Sequence, residues 1–281
     1  MTDPTRLAVL GAPIGHSKSP LLHSAAYASL GLDWVYGRAE VEGSALKEFI
    51  DECDTTWRGL SLTMPLKRDI LPLLDTVDPL VSLTGAANTV LFEAGEDGVT
   101  ERTLHGFNTD VYGVTQALRE AGVAELNVVH LLGAGATASS VLVAVVELGA
   151  RRVVIFARTP EKAAPLIALG ELLGVEVDVQ PLWMQDRSTV VPDLVASTLP
   201  GGTEIDSGFA ESLGSRPVLF DVAYDPWPSA LAAQWQGTVV SGLEMLVHQA
   251  LAQVRVFVGG SPLVALPDEA TVLAAMRSAV A

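Results

Sequence analysis

The chain is short of cysteine, because Cys53 is the only one among its 281 residues. A disulfide within the chain is therefore excluded, and we expect a protein of a reducing compartment, the cytoplasm. Basic residues are also few: 17 lysines and arginines stand against 33 aspartates and glutamates, which gives a formal net charge of −16. So acidic a chain argues against a nucleic-acid partner, and an anionic ligand would need a local positive site.

Long uninterrupted apolar runs are missing as well. The stretch from Leu126 to Ala150 carries few charges, but Gly133, Gly135 and Gly149 divide it into pieces too short to cross a bilayer. The N-terminus lacks the layout of a signal peptide. The sequence has no P-loop and no Gly-x-Ser-x-Gly motif, and its histidines show no metal-ligand spacing. We therefore expect no membrane attachment and no metal.

The sequence does contain a strand, a glycine turn, a helix and a second strand in succession. The residues Leu126–Leu132 predict a buried strand, Ser139–Leu148 an apolar helix, and Arg152–Ala157 a second strand. This arrangement holds a dinucleotide, because the first glycine makes the tight turn and the second lets backbone N–H groups approach the pyrophosphate. The candidate cofactor-binding residues of the turn are Gly133, Ala134, Gly135, Ala136 and Thr137. The alternative is a tight turn in an ordinary α/β domain.

The end of the second strand indicates which dinucleotide is bound. An acid usually stands there to bind the ribose 2′-hydroxyl of NAD, but no aspartate or glutamate occurs from Arg151 to Thr159. Arg158 stands near that place, and a guanidinium suits a 2′-phosphate. The sequence therefore predicts NADP as the cofactor. The alternative reading of Arg158 is a solvated cation at a strand end.

The order of the predicted elements indicates an α/β fold with two lobes. Residues 1–109 form the first segment of a substrate-binding and catalytic domain, and residues 110–239 form an inserted Rossmann-type NADP domain. Residues 240–281 are predicted to be C-terminal helices that pack back on the substrate domain. A cleft between the lobes would hold a small-molecule substrate against the nicotinamide. In the first segment, Thr89–Glu93 and Thr103–Phe107 are predicted to pair through a turn near Gly95–Gly98.

Two further strand ends carry residues that suit proton transfer. Lys67 lies near the start of a predicted helix, Leu66–Leu74, which Thr63 is placed to cap. The positive end of the helix disfavours the ammonium form, which suits a lysine that exchanges protons. Asp110 begins another predicted helix and could orient Lys67. The alternatives are a surface lysine on a helix and a capping aspartate.

The loop from Gly11 to Pro20 concentrates hydroxyls at the start of a predicted helix. Ser17 and Ser19 flank Lys18, and the helix N-terminus follows directly. Hydroxyls, a cation and unpaired N–H groups together form a natural site for a carboxylate or a polyol. The alternative is an ordinary capped loop.

These runs, taken in order, resemble the shikimate dehydrogenase family, especially its actinobacterial type, over nearly the whole chain. Any one of them is common, but the ordered set is specific. The motifs that carry the resemblance are His16-Ser17-Lys18-Ser19-Pro20, Thr63-x-Pro65-x-Lys67, Gly85-Ala86-Ala87-Asn88-Thr89, Asn108-Thr109-Asp110, Gly133-Ala134-Gly135, Tyr224-Asp225-Pro226 and Gly242-Leu243-Glu244-Met245-Leu246 through Gln249. Ser61 departs from the family pattern, which usually has asparagine there, and a turn contact would be lost with it.

The resemblance implies reversible NADPH-linked reduction of 3-dehydroshikimate to shikimate, a step in the synthesis of chorismate and the aromatic amino acids. It implies that Lys67 and Asp110 are the catalytic pair. The substrate-binding residues that it implies are Ser17, Ser19, Thr63, Lys67, Asn88, Asp110, Tyr224 and Gln249. On the cofactor side it adds Arg158, Thr159, Ser197, Thr198, Gly242 and Met245 to the glycine turn.

Other functions stay open at the level of the sequence. One is an NAD-dependent quinate/shikimate dehydrogenase, although the acid expected at the second strand end is missing. Another is a regulator that binds NADP without turnover, and a third is a folate-type dehydrogenase with a similar two-lobe layout. The expected oligomeric state is a monomer or a homodimer.

Overall fold

The computed structural model describes residues 4–95, 102–187, 190–203 and 207–281, without the side chains of residues 185–187, 207 and 208. The chain divides into two compact units. Unit 1 consists of Met1–Thr109 and Gln249–Ala281, and unit 2 of Asp110–His248. The helix Gly242–Gly259 therefore belongs to both, since the division falls inside it.

Unit 1 is built on a mixed sheet of six strands. In spatial order these are β2, β1, β3, β5, β6 and β4; β1 runs parallel to β2 and β3, whereas β5 is antiparallel to β3 and β6. The strands are β1 (Thr5–Gly11), β2 (Trp34–Glu40), β3 (Trp57–Leu62), β4 (Thr76–Val77), β5 (Thr89–Glu93) and β6 (Thr103–Phe107). The helices of this part are α1 (Ser19–Ser29), α2 (Leu46–Glu52), α3 (Leu66–Asp69), α4 (Pro79–Thr84), α10 (Gly242–Gly259, from Gln249 onward) and α11 (Glu269–Ser278).

Burial explains why these segments form strands and helices. In β1 the residues from Leu7 to Gly11 are all buried, as expected of a strand with neighbours on both edges and covered faces. In α1, Leu22, Ala26 and Tyr27 recur on one face and are buried, while α11 packs against this helix. The predicted pairing of Thr89–Glu93 with Thr103–Phe107 is confirmed by β5 and β6. Gly98 of the predicted turn lies outside the described residues.

The helix that carries Lys67 is shorter than predicted. The prediction of a helix over Leu66–Leu74 is wrong, because α3 ends at Asp69 and a single 3-10 turn follows at Leu71–Leu73. Pro72 accounts for the break, since proline lacks the N–H of a continuing helix and its ring clashes with the carbonyl four residues earlier. The predicted cap is also wrong: Pro65 occupies the capping position, and Thr63 instead accepts the Leu66 N–H at its backbone oxygen, 2.8 Å away.

Unit 2 is a doubly wound sheet of six parallel strands. Their spatial order is β12, β11, β10, β7, β8, β9, so the direction of winding reverses between β7 and β10. This is the Rossmann arrangement. The strands are β7 (Val128–Leu132), β8 (Arg152–Ala157), β9 (Glu176–Pro181), β10 (Leu194–Ser197), β11 (Val218–Asp221) and β12 (Val239–Ser241), and the helices are α5 (Asp110–Glu120), α6 (Ala136–Glu147), α7 (Ala164–Leu173), α8 (Ser207–Leu213) and α9 (Ala230–Gln234), with the start of α10.

The helix after the glycine turn begins earlier than predicted. The sequence places its start at Ser139, whereas α6 begins at Ala136, directly after Gly135. Its N-terminal N–H groups therefore border the turn itself. In the part of the chain that the structure describes, we find no helix with the length and apolar character that crossing a bilayer requires.

Candidate active site

Two loops of unit 1 meet where β1 and β3 end. Thr63 donates its N–H to the Leu10 carbonyl at 2.9 Å, and Ala12 donates to the Met64 carbonyl at 3.0 Å. Gly11 allows this approach, because a Cβ there would lie 2.4 Å from Thr63 Cγ2. The loop that begins at Gly11 and contains Ser17 and Ser19, called the serine-rich loop below, is therefore held beside the loop of Thr63.

The serine-rich loop fixes both candidate hydroxyls at the start of α1. Ser19 is the first residue of the helix and is buried, whereas Ser17 is half-buried. The Ser19 N–H lies 3.3 Å from Ser17 Oγ, so the two residues are linked. Arg38 on β2 donates to the Gly15 carbonyl and ties the loop to the sheet edge. The Ser19 N–H is bonded to Ser17, those of Leu21 and Leu22 donate to the Lys18 carbonyl, and Pro20 has none. What this helix start offers an anionic group is therefore the two hydroxyls and the positive end of the helix dipole.

Lys67 lies half-buried beside Ala87 and Asn88, the two residues that precede β5. Its backbone carbonyl accepts the Ala87 N–H at 2.9 Å, and the Asn88 carbonyl accepts the Leu62 N–H at 2.8 Å. Thr63 follows Leu62 directly. Unit 1 therefore brings Thr63, Lys67 and Asn88 to neighbouring positions along the ends of β3 and β5.

Asn88, Thr109 and Gln249 form a buried hydrogen-bonded group in unit 1. The Thr109 N–H donates to Asn88 Oδ1 at 2.9 Å, and Asn88 Nδ2 donates to Thr109 Oγ1 at 2.9 Å and to Gln249 Oε1 at 3.1 Å. A backbone N–H can only donate, so it fixes which branch of the Asn88 amide is the oxygen. Gln249 therefore turns its oxygen to Asn88 and directs its NH₂ group elsewhere, where it can donate.

Asp110 follows Thr109 in the chain and is the first residue of α5 in unit 2. The residue is 3% exposed. The N-terminal end of a helix carries a partial positive charge, which attracts a carboxylate. The neighbouring Asn108 is anchored in unit 1, where its amide donates to Thr84 Oγ1 at 2.9 Å and to the Ala86 carbonyl at 3.0 Å.

The glycine turn of unit 2 has the geometry that its sequence predicts. Gly133 adopts a φ of +106°, and a Cβ at this position would lie 2.4 Å from Thr198 Oγ1. Thr198, another candidate cofactor residue, is fixed by donation from its hydroxyl to the Leu132 carbonyl at 2.9 Å. The ends of β7 and β10 therefore touch at the reversal of the sheet, which is where doubly wound proteins bind their ligands.

The second glycine borders open space. A Cβ at Gly135 would meet no atom within 4 Å, and Gly135 caps the twelve-residue helix α6. Ala134, Ala136 and Thr137 are half-buried around it, whereas Ala138 is fully buried against the sheet. This surface of backbone N–H groups at a helix N-terminus fits a pyrophosphate.

Arg158 and Thr159 are exposed and directly follow β8, the neighbour of β7. This is the strand end at which the ribose of a bound dinucleotide is recognised. An exposed arginine at this strand end suits a 2′-phosphate.

The remaining candidates stand at the ends of the next strands. Ser197 ends β10 and is buried, and Tyr224 is half-buried after β11, where burial, together with the charge of Asp225, raises the pKa of its hydroxyl. Gly242 begins α10 against Val222, the residue that follows β11, because a Cβ there would lie 2.0 Å from the Val222 carbonyl oxygen. Met245 is buried one turn later.

Gln253 was missed in the sequence, where Thr89 was named only within a motif and a predicted strand, and Ser61 only as a departure from the family pattern. Gln253, Thr89 and Ser61 are buried and hydrogen-bonded around Asn88. The spacing of Gln249 and Gln253, four residues apart on α10, was the available signal, because such residues share a helix face.

The structure also assembles a cluster that the histidine spacing did not reveal. Ligand atoms of Glu120, Glu244 and His248 lie within 4.8 Å of one another in unit 2. His248 Nε2 lies 3.0 Å from Glu120 Oε2, so an ion pair between α5 and α10 accounts for this contact when the histidine is protonated.

A doubly wound parallel sheet, with a glycine turn at its reversal and an arginine after the next strand, defines the class of α/β dinucleotide-binding proteins. The chain matches the shikimate dehydrogenase substrate binding domain over residues 9–90. It is 32% identical to the NADP(+) shikimate dehydrogenase of Methanothermobacter thermautotrophicus, covering 90% of this chain and 91% of that protein. The chain therefore belongs to the shikimate dehydrogenase family.

Solved structures agree with this assignment. The crystal structure of Mycobacterium tuberculosis shikimate dehydrogenase is 36% identical, with a TM-score of 0.83 over 98% of this chain and 100% of that one. The Thermus thermophilus enzyme in complex with NADP(H) and shikimate is 31% identical, with a TM-score of 0.78 over 98% of this chain and 99% of that one.

Proposed function

We propose that this protein is an NADP-dependent shikimate dehydrogenase, which reversibly reduces 3-dehydroshikimate to shikimate. The observation that carries the proposal is the cofactor end of unit 2. Gly133 and Thr198 meet at the reversal of the sheet, and Arg158 follows the adjacent strand. Membership of the family supplies the reaction, and the relative from Thermus thermophilus was solved with both NADP(H) and shikimate.

We propose Lys67 and Asp110 as the catalytic residues. When bound, NADPH would supply the hydride to ring C3 in reduction, and NADP⁺ would accept it in oxidation. Lys67 gives a proton to the C3 oxygen in reduction and takes it back in oxidation, which balances the hydride. The buried Asp110 carboxylate accepts a hydrogen bond from a substrate hydroxyl and fixes the ring for this exchange.

The other polar residues of unit 1 bind different groups of the substrate. Ser17 and Ser19 bind the carboxylate at the start of α1, where the positive end of the helix dipole adds to the hydroxyls. Thr63, Asn88 and Gln249 bind ring hydroxyls, with Gln249 acting as a donor because its oxygen faces Asn88. Tyr224 is proposed as a further substrate contact.

The deciding experiment is a four-way assay of purified protein with shikimate or quinate and with NADP or NAD. We expect turnover of shikimate with NADP and a kcat/KM ratio of NAD over NADP below one. A ratio above one would identify the NAD-dependent quinate/shikimate enzyme, because Arg158 would then not select the cofactor. NADP binding without turnover of either substrate would identify a regulator, and absence of turnover with both cofactors would refute the proposal. Thermal stabilisation by shikimate argues against a folate-type dehydrogenase.

The organisation of the chain follows from the same proposal. Segments 1–109, 110–239 and 240–281 are proposed as the substrate domain, the NADP domain and the helices that complete the former. The single cysteine supports a reducing cytoplasmic compartment. The proposed state is a monomer or homodimer without nucleic-acid partner, and light scattering after gel filtration determines which of the two is present.

A further inference from the structure

A buried polar network in unit 1 reaches Asn88 from the interior. The Tyr27 hydroxyl lies 3.2 Å from His23 Nδ1, and His23 Nε2 lies 3.2 Å from Gln253 Oε1. Ser61 Oγ lies 3.0 Å from the same Gln253 oxygen. All of these residues are buried, and the network ends on Asn88.

The hydrogen bonds determine how the Gln253 amide is oriented. Its Nε2 lies 3.0 Å from the Asn88 backbone oxygen and 3.0 Å from Thr89 Oγ1. A carbonyl oxygen only accepts, so the branch that faces Asn88 must be the NH₂ group. The other branch, Oε1, then accepts from Ser61 and from His23. Gln253 therefore uses both ends of its side chain in the interior.

The same bonds orient the hydroxyl of Thr89. Because Thr89 Oγ1 accepts from Gln253, its own proton is free to donate to Asn88 Oδ1, which lies 2.8 Å away. Together with the Thr109 N–H, this donor holds Asn88 Oδ1 inward and turns Nδ2 toward Gln249. The orientation of the Asn88 and Gln249 amides thus depends on Gln253.

We propose that Gln253 is a positioning residue for substrate: through Thr89 it fixes Asn88, and through Asn88 it fixes Gln249. The inference rests on the proposed function, since that function gives Asn88 and Gln249 the task of binding ring hydroxyls. Gln253 is 1% exposed and acts through these neighbours. His23 keeps its role at neutral pH because burial lowers its pKa to about 3, so its Nε2–H donates to Gln253 and its Nδ1 accepts from Tyr27.

The test compares Gln253→Leu with Tyr27→Phe, which removes a hydroxyl from the same network but three hydrogen bonds away from Asn88. We expect Gln253→Leu to raise the KM for shikimate about tenfold, with a smaller change in kcat and no change in the KM for NADP. Tyr27→Phe should lower the Tm and leave both KM values unchanged. A purely structural Gln253 would lower the Tm of its variant without changing the KM for shikimate, and that result would overturn the proposal.

A second variant keeps the test decisive if Gln253→Leu fails to fold. Thr89→Val preserves the shape of the side chain but removes the hydroxyl that donates to Asn88, so the same tenfold rise in KM for shikimate is expected. An unchanged KM would contradict the proposal. A crystal structure of either variant separates this proposal from the proposed function: a rotated Asn88 amide supports positioning even in a protein without shikimate activity, and an unmoved amide refutes it.

Discussion

At the scale of single residues, Lys67 carries the proton of the proposed reaction. The variant Lys67→Met removes the ammonium while retaining most of the side-chain length. Because general acid–base catalysis contributes roughly 10²–10⁴-fold, kcat should fall by about that factor, with the KM for shikimate changed by less than about threefold. Steady-state oxidation of shikimate at saturating NADP measures both constants.

Lys47 provides the control for this substitution. It lies on α2 in the same unit, its side chain is 69% exposed, and it pairs with Asp51 at 2.6 Å. Lys47→Met should leave kcat at the wild-type value, since exposed ion pairs contribute little. A Lys67→Met enzyme that is as fast as the wild type would remove Lys67 from the mechanism.

Arg158 is expected to select the cofactor. Hydrogen bonds to a charged group contribute about 1.5–3 kcal/mol, so Arg158→Ser should raise the KM for NADP by roughly 10- to 100-fold and leave the KM for NAD unchanged. Arg151→Ser is the matched control, because Arg151 is also exposed but precedes β8, at the opposite end of the strand. Equal effects of Arg158→Ser on the two cofactors would mean that Arg158 does not contact a 2′-phosphate.

At the scale of elements, the two glycines of the turn make opposite predictions. Gly133→Ala places a Cβ 2.4 Å from Thr198 Oγ1 on a backbone with a φ of +106°. Such strain should destabilise unit 2 by about 1–3 kcal/mol and weaken NADP binding.

The variant Gly135→Ala places its methyl group in open space, so stability should change by less than about 0.5 kcal/mol. The KM for NADP should rise, because the methyl group stands where the pyrophosphate approaches. Thermal unfolding and NADP titration distinguish the two variants, and a Gly133→Ala protein of wild-type stability contradicts the assignment.

The bounds of an element could be predicted from the sequence where they follow from a local apolar run. They could not be predicted where one residue interrupts the apolar pattern or where a distant residue decides the packing. The predicted bounds of β8 (Arg152–Ala157) are confirmed residue for residue, because this strand is a short apolar run whose residues after Arg152 are all buried. The helix after Leu66 was predicted too long, since its apolar periodicity continues past Pro72 while the backbone cannot.

The buried residues that hydrogen-bond to the candidate site could not be predicted from sequence motifs. Asn88 is part of a recognisable run, but Gln253, which contacts its backbone, lies 165 residues further along the chain. Ser61 was expected to lose a turn contact, yet it is buried between the Tyr36 hydroxyl at 2.6 Å and Gln253 at 3.0 Å. Such contacts depend on how β2, β3 and α10 pack, which no local pattern specifies.

At the scale of the whole molecule, each unit buries a histidine in its interior. His23 in unit 1 has its pKa lowered to about 3, and His130 in unit 2 has its pKa lowered to about 4, in both cases chiefly by burial. In the unfolded chain both would titrate near 6.5. Below that pH both histidines bind a proton in the unfolded state but stay neutral in the folded state, so acid favours unfolding.

The sign and size of this effect give the last prediction. Stability is fully present above pH 6.5 and falls as the pH drops toward the folded values, by about 1.4 kcal/mol per pH unit for each histidine. Between pH 7.5 and pH 5.5 the free energy of unfolding of unit 1 and that of unit 2 should therefore each decrease by about 1.4 kcal/mol in total, measured by urea denaturation.

The variant His130→Gln should remove this decrease in unit 2. Phe156→Leu alters the ring that packs 5.1 Å from His130, centroid to centroid, but adds no titrating group. It should lower stability equally at both pH values, and a His130→Gln protein with an unchanged pH slope would show that His130 is not the group that titrates.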